Sequence, residues 1–391
     1  MKIGIVALGF MPGMMGGTEV YLRSLIRMSQ FWGSETEPVL FVSATNRTTL
    51  AATANHSVVL REIDPTFGQR ARRGWVRANR MLHGQYYLGR LEDDVNFGDI
   101  DVLHYPFCIS RPRPQGKRPA KTVITIHDLQ HVEYPQFFSR KEIDFREREY
   151  GLAVNSADLI LTDSQYSRTK IIQRYGLDSG RVKVIYPGVE GRTPLEPSAT
   201  RLTDYLAIKK IQQPYMYYPA ATWPHKNHKR LLLALRTLVA SEDFQGSLVL
   251  SGLSMQDQNE IVRLVNDLDL SRHVRFVGFV PEEEMGLLYA GARMLVFPSL
   301  YEGFGFPVVE SMLAGLPVLC SNCTSLPEIG ADAVEYCDAT DVHSLATSIL
   351  RLWSDDDKRG KLRALGMRRG AFFDLSARAA ELRQTYESLG V

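Results

Sequence analysis

Two glutamates, Glu302 and Glu310, stand on either side of a glycine-rich turn, Gly303-Phe304-Gly305. Carboxylates accept hydrogen bonds from hydroxyl groups. Glycine amides at the start of a helix suit an anion such as phosphate, and Pro307 marks such a start. Hydroxyl acceptors flanking a phosphate-holding turn match the needs of a sugar nucleotide. The plainer alternative is a strand-to-helix connection with solvated glutamates. Lys226 lies at a second strand-to-helix junction, where its ammonium can meet a phosphate. Without such a partner, a lysine near a helix start is electrostatically misplaced. His127 ends an apolar strand, and Gly16-Gly17 lead into a helix where backbone can approach an anion closely. The loop around them is not a dinucleotide fingerprint, because it lacks G-x-G-x-x-G. A structural histidine and a surface loop are the alternatives there.

The elements that must position these residues alternate in both halves of the chain. Apolar runs predict strands at 2–8, 39–42, 58–60, 102–105, 121–126, 159–162 and 182–186. Helices are expected from Thr18 as cap, at 141–156 and at 164–175. Residues 190–198, with Gly191, Pro194 and Pro197, read as a linker. The alternation resumes with strands at 215–218, 248–250, 274–277 and 294–297. Two further strands, near 317–320 and 333–336, and helices ending at 376–389 complete it. The expected fold is α/β, with two Rossmann-like doubly wound parallel-sheet domains facing across a cleft. The domains are placed at 1–190 and 205–375, with the helix from 376–391 packing back on the first. Each candidate group follows the carboxyl end of a predicted parallel strand, where such sheets bind ligands.

The bulk composition excludes several classes. The 391 residues are 45% hydrophobic and 23% charged, ordinary for a globular protein of two domains. A net charge of +2 gives no reason to expect nucleic acid. The N-terminal apolar run is too short for a signal peptide, and charges or prolines interrupt every longer run. A cytoplasmic protein is expected, with any membrane contact peripheral. From Arg61 to Arg90 there are seven arginines interleaved with Trp75, Met81, Tyr86 and Tyr87. That pattern suits contact with an anionic membrane surface, the holding of an anionic acceptor, or a solvated helix face. Cys320 and Cys323 lack the second ligand pair of a zinc site and read as core thiols. Asp99-Ile100-Asp101 has the letters of a cation-binding pair but precedes its strand, so it reads as a turn, and no metal site is assigned.

The pattern from Glu302 to Glu310 resembles the E-x7-E motif of retaining GT-B glycosyltransferases of family four. Gly16-Gly17-Thr18-Glu19, the strand ending in His127, Val277 to Pro281 and Ser325 to Ile329 look like that family's landmarks in order. The segments His127 to His131, Pro135 to Phe138 and Ala221 to His228 look most like the bacterial surface-polysaccharide (O-antigen-type) mannosyltransferases. The resemblance implies that a hexose moves from a nucleotide diphosphate sugar, GDP-mannose favoured, to a saccharide or lipid-linked saccharide with retained configuration. It implies no resident cofactor. It gives catalytic roles to His127, Lys226 and Glu302. It makes Gly16, Gly17, Thr222, Lys226, Gly252, Phe279, Val280, Glu302, Gly303, Phe304, Gly305 and Glu310 the donor-binding set. Within that set Glu302 serves the sugar, Glu310 the ribose, and Phe279 and Val280 the base. Many members carry an arginine shortly before the lysine. Here Ala220 to Trp223 hold none, which leaves Thr222 or Arg230 to compensate. A nucleotide-sugar epimerase or hydrolase on the same fold and a non-catalytic nucleotide-sugar-binding protein are the competing readings.

Overall fold

A computed structural model describes residues 1–54, 57–63, 95–114, 121–190, 198–241 and 244–391. Most of the arginine-rich segment from Arg61 to Arg90, and most of the expected linker, lie outside the described residues. By internal contacts the chain divides into two compact units: Met1–Gly188 with Leu375–Val391, and Val189–Asp374. The second unit therefore takes in 189–204, including the helix Ala199–Lys209, ahead of the expected start at 205.

The first unit is built on seven parallel strands. They are β1 (Lys2–Val6), β2 (Glu37–Val42), β3 (Val59–Glu62), β4 (Val102–Tyr105), β5 (Lys121–Thr125), β6 (Leu159–Thr162) and β7 (Val182–Val184). Their order is β3-β2-β1-β4-β5-β6-β7. The central strands β4 and β6 are buried along their whole length, which is why they read as unbroken apolar runs. Strand order reverses between β1 and β4, and the loops leaving a sheet at such a reversal form its ligand-binding crevice. The helix Arg140–Ser156 starts with a capping box between Ser139 and Glu142, and Gln165–Tyr175 is capped by Ser164. The first helix, Gly17–Ser29, differs from expectation. Gly16, not Thr18, occupies its cap position, with φ 53° and no side-chain cap bond. Glu19 instead holds the loop from inside the helix, accepting from the Gly13 amide at 2.7 Å.

The second unit repeats the plan with six parallel strands. They are β8 (Tyr215–Pro219), β9 (Ser247–Ser251), β10 (Val274–Gly278), β11 (Met294–Phe297), β12 (Val318–Ser321) and β13 (Glu335–Cys337). The order is β10-β9-β8-β11-β12-β13, with the reversal between β8 and β11. Those two strands are direct neighbours, Leu295 opposite Tyr217. The loop after β8 carries Lys226 and the loop after β11 carries Glu302, so strand order alone brings the two loops to one crevice.

The helix Leu375–Glu387 belongs to the first unit. Its Tyr386 is fully buried and meets Trp32 edge-on at 5.5 Å, while Arg383 donates to the Trp32 carbonyl at 3.1 Å. No helix among the described residues is long and apolar enough to cross a membrane.

Candidate active site

The two loops at the second unit's strand reversal are stitched together by backbone and buried side chains. The Leu300 amide donates to the His225 carbonyl at 2.8 Å. Asn227, held at φ 61°, donates through Nδ2 to the carbonyls of Pro298 (3.0 Å) and Ala339 (2.8 Å). Tyr218 donates its hydroxyl to the Lys226 carbonyl at 2.6 Å. The loop from β12 adds a third strut. Ser325 Oγ donates to the carbonyls of Glu302 (3.0 Å) and Phe304 (3.1 Å), and the Glu302 amide donates to Thr324 Oγ1 at 3.1 Å.

On this frame Lys226 Nζ meets Glu302 Oε1 at 2.5 Å, with side-chain exposures of 18% and 12%. The ammonium also stands over the Phe297 ring at 5.6 Å. Beside the pair, the amides of Gly303, Phe304 and Gly305 donate to no protein acceptor among the described residues. They lead into the eight-residue helix Phe306–Leu313, whose N-terminus adds its dipole. Gly305 is required there. It sits at φ 104°, and a Cβ would meet Leu326 Cδ2 at 2.7 Å. The arrangement offers one cation, three unclaimed donors and one carboxylate at a single rim.

Other members of the expected donor-binding set take different positions. Thr222 does not present its hydroxyl as a substitute for the missing arginine. Its Oγ1 accepts from the Met255 amide at 2.6 Å and so braces the loop after β9. Arg230 donates to Asn227 Oδ1 at 3.0 Å, which commits it to the loop frame. Gly252 is a packing requirement, with its amide donating to the Gly278 carbonyl at 2.8 Å. Glu310 is only 3% exposed and accepts from the Tyr289 hydroxyl at 2.7 Å, because it falls on the buried face of its helix. Phe279 presents a ring that is 61% exposed, next to Val280, which is buried.

His127 lies in the first unit, and both of its ring nitrogens face acceptors. Nδ1 is 2.6 Å from Asp163 Oδ2, and Nε2 is 2.9 Å from the Pro106 carbonyl oxygen. The ring therefore presents no unoccupied nitrogen in this conformation. Burial lowers its proton affinity, but the Asp163 charge and hydrogen bond outweigh burial and hold its pKa above 6.5. Tyr21 packs edge-on against the ring at 4.6 Å, and its hydroxyl meets Thr125 Oγ1 at 2.8 Å. Thr125 meets His104 Nε2 at 2.7 Å, and His104 Nδ1 meets the Tyr386 hydroxyl at 2.7 Å. Burial, and then the neighbouring His127, push His104 down to about 3, so it is neutral. Gly16 and Gly17, at the end of the β1 loop, have amides that donate to no protein acceptor among the described residues.

A raised folded-state pKa means that the protonated pair stabilises the fold below 6.5 and loses that contribution as pH rises through the folded value. Asp163→Asn is therefore expected to cost roughly 3 kcal/mol in acid and progressively less in alkali. Thermal unfolding of both proteins from about pH 5 to about pH 9 measures it. An offset that does not change with pH would refute the ionic account of this pair.

Comparisons with known proteins agree with this geometry. A sequence family described as Glycosyltransferase Family 4 matches residues 15–191, and one described as Glycosyl transferases group 1 matches residues 207–368. O-antigen chain mannosyltransferase B of Escherichia coli is 31% identical over 293 residues, covering 75% of this chain and 74% of that protein. The chain belongs to the group 1, family 4 glycosyltransferases. A second relative of this glycosyltransferase is O-antigen chain mannosyltransferase RfbU of Salmonella typhimurium. It is 28% identical over 226 residues, covering 58% of this chain and 59% of that protein. Among solved structures, sucrose-phosphate synthase from Thermosynechococcus elongatus aligns with a TM-score of 0.71 at 21% identity, over 99% of this chain and 98% of that one. That likeness establishes the GT-B fold of the glycosyltransferase.

Some residues of the glycosyltransferase's two sites were not anticipated. Asp163 follows the carboxyl end of β6 just as His127 follows β5, so the rule that found one would have found the other. Cys323 is not an inert core thiol. Its Sγ contacts the carbonyls of Ser299 (3.3 Å) and Leu300 (3.2 Å) and thereby braces the loop leading to Glu302. All four cysteines are free. Asp101 Oδ2 accepts from the Lys2 amide at 2.7 Å, at the amino end of the sheet, a structural use.

Proposed function

We propose that this glycosyltransferase transfers mannose from GDP-mannose, with retained configuration, to a saccharide or lipid-linked saccharide in surface-polysaccharide synthesis in the cytoplasm. The observation that carries the reading is the Lys226–Glu302 pair beside the unclaimed amides of Gly303 to Gly305. The two O-antigen mannosyltransferase relatives support the sugar and the pathway class. When donor binds, the diphosphate takes the Lys226 ammonium from Glu302 and the amides receive its oxygens. Glu302, released, accepts hydroxyls of the donor sugar. The exposed Phe279 ring offers a stacking face for the base. In the chemical step the bond from the anomeric carbon to the phosphate oxygen breaks and the acceptor oxygen bonds to that carbon on the same face. The acceptor's proton passes to the departing diphosphate. Lys226 and the backbone donors stabilise the charge that develops on the leaving group, and no resident metal is required.

Incubation with GDP-mannose in the presence and absence of a mannose-terminated acceptor tests the reading. The expected product is an extended saccharide with the donor's anomeric configuration, formed at an unchanged rate in chelator. Release of free mannose or an epimer from donor alone, with no extended product, would favour a hydrolase or epimerase. Tight nucleotide binding without turnover would make the protein a binder.

A further inference from the structure

The helix Arg140–Ser156 follows the loop that leaves β5 beyond His127, at the ligand-binding edge of the first sheet. Each acidic side chain on it has a partner. Glu142 closes the capping box, and Asp144 pairs with Arg140 at 3.0 Å. Glu147 pairs with Arg174 at 2.6 Å, and Glu149 pairs with Arg111 at 2.8 Å. Glu133, on the loop, is held by Lys170 at 2.6 Å. Arg146 is the exception. It is half-buried over the Phe138 ring at 4.6 Å, and no carboxylate among the described residues lies within ion-pair distance of it. The charges of Asp128 and Glu142 reach it from farther off, and both carboxylates are engaged elsewhere, Asp128 accepting from the Gln130 amide at 3.0 Å and Glu142 from the Ser139 amide at 2.8 Å. A half-buried guanidinium that makes no direct ion pair keeps its fork of donors available to an anion.

Two further observations point to the same place. Gln130 Nε2 and both ring nitrogens of His131 are buried without a hydrogen bond. His131 Nε2 lies 3.4 Å from Glu147 Oε1 but off hydrogen-bond alignment. Burial, followed by the Arg146 charge, pushes His131 down to about 4, which places the guanidinium's field on this imidazole. Alongside, Tyr134 and Phe137 stack at 5.5 Å with 6° between their planes, and both rings are partly exposed. Aromatic faces with a few convergent polar groups make a small-molecule site. A guanidinium fork matches two phosphate oxygens, and the orphaned donors suit the oxygens that remain.

We infer that Arg146 and the Gln130–Phe138 loop form an acceptor subsite for a phosphate-bearing saccharide, an inference that rests on the transfer reading above. The phosphate is that of a soluble glycosyl phosphate or of a lipid-diphosphate carrier. Three acceptors with the same mannosyl terminus separate the cases: a soluble glycosyl phosphate, an alkyl-diphosphate-linked saccharide in detergent micelles and a neutral alkyl glycoside. Arg146→Gln is expected to raise KM for the phosphorylated acceptors roughly 10- to 100-fold, with kcat, neutral-acceptor KM and donor-only hydrolysis unchanged. Arg146→Lys should restore part of the loss. An effect on both phosphorylated acceptors assigns the site to phosphate itself, and one confined to the micellar substrate assigns it to the lipid carrier. An equal change on charged and neutral acceptors, or none, overturns the inference. Calorimetric titration of the glycosyl phosphate into wild type and Arg146→Gln gives an answer that needs no turnover. Equal binding by both, or no binding by wild type, also overturns it. If wild type binds glycosyl phosphate Arg146-dependently yet extends no acceptor, the transfer reading fails while the subsite stands.

Discussion

Lys226→Ala is expected to lower kcat/KM by roughly 2–4 kcal/mol, about 30- to 1,000-fold, with Glu302→Gln losing a comparable amount. In the proposed mechanism Lys226 supplies the charge that meets the leaving diphosphate, and the additional arginine of many family members is absent from 220–223. Thr222 and Arg230, the two candidates for making up that charge, are committed to the Met255 amide and to Asn227. The lysine therefore carries more of the leaving-group stabilisation than one of two cations would. The single variants should also melt earlier than wild type, because each strands a partner that is mostly buried, Glu302 at 12% and Lys226 at 18% exposure. The double variant Lys226→Ala, Glu302→Gln should recover part of that stability and none of the activity. Steady-state kinetics and thermal unfolding on the four proteins of this cycle separate the two effects. Single variants with near-normal turnover would remove Lys226 and Glu302 from the chemistry.

Gly252→Ala is expected to cost roughly 3–5 kcal/mol of stability in the second unit. Gly252 sits at φ 135°, where side chains are strained, and a Cβ would lie 2.6 Å from the carbonyl carbon and oxygen of Ala220. Those neighbours are backbone of the β8 loop and cannot swing aside as a side-chain tip would. The same contact is how the ends of β8 and β9 are held close, with the Ala220 amide donating to the Ser251 carbonyl at 2.8 Å. A methyl here should spread the loop that ends in Lys226, so donor affinity falls along with stability. Gly16→Ala is the control. Its Cβ would meet nothing within 4 Å, so only the strain of φ 53° remains. Equal melting temperatures for wild type and Gly252→Ala would show that the loop relaxes at little cost.

The fold was legible because parallel strands buried on both faces must be written as apolar runs, and both halves are written that way. Lys226 and Glu302 were each legible from their place after a strand. Their ion pair was not, since it depends on β8 and β11 being neighbours, a fact of strand order that local patterns do not carry. The burial of Glu310 against Tyr289 is likewise tertiary. A glutamate in the first turns of a helix reads the same whether it faces solvent or core. Thr222 was legible as polar and well placed, but its hydroxyl is claimed by a backbone amide from another loop. The network from Tyr386 to His104 joins residues 282 apart and leaves no local signal. Arg146 went unremarked because it shares its helix with other charges. Only the pairing of all its acidic neighbours sets it apart.

The helix Leu375–Glu387 has a consequence for the order in which the protein is made. It completes the first unit, yet it is synthesised after the whole of the second. A chain emerging from the ribosome can assemble 189–374 while β4 still lacks the Tyr386 hydroxyl that meets the buried His104. The usual rule that the N-terminal domain matures first is thus reversed for the final packing step. Until that step, helix Gly17–Ser29 and Trp32 lack the helix Leu375–Glu387 that packs on them, with Tyr386 against Trp32. A molecule interrupted late in synthesis would carry a complete second unit and an unfinished first core.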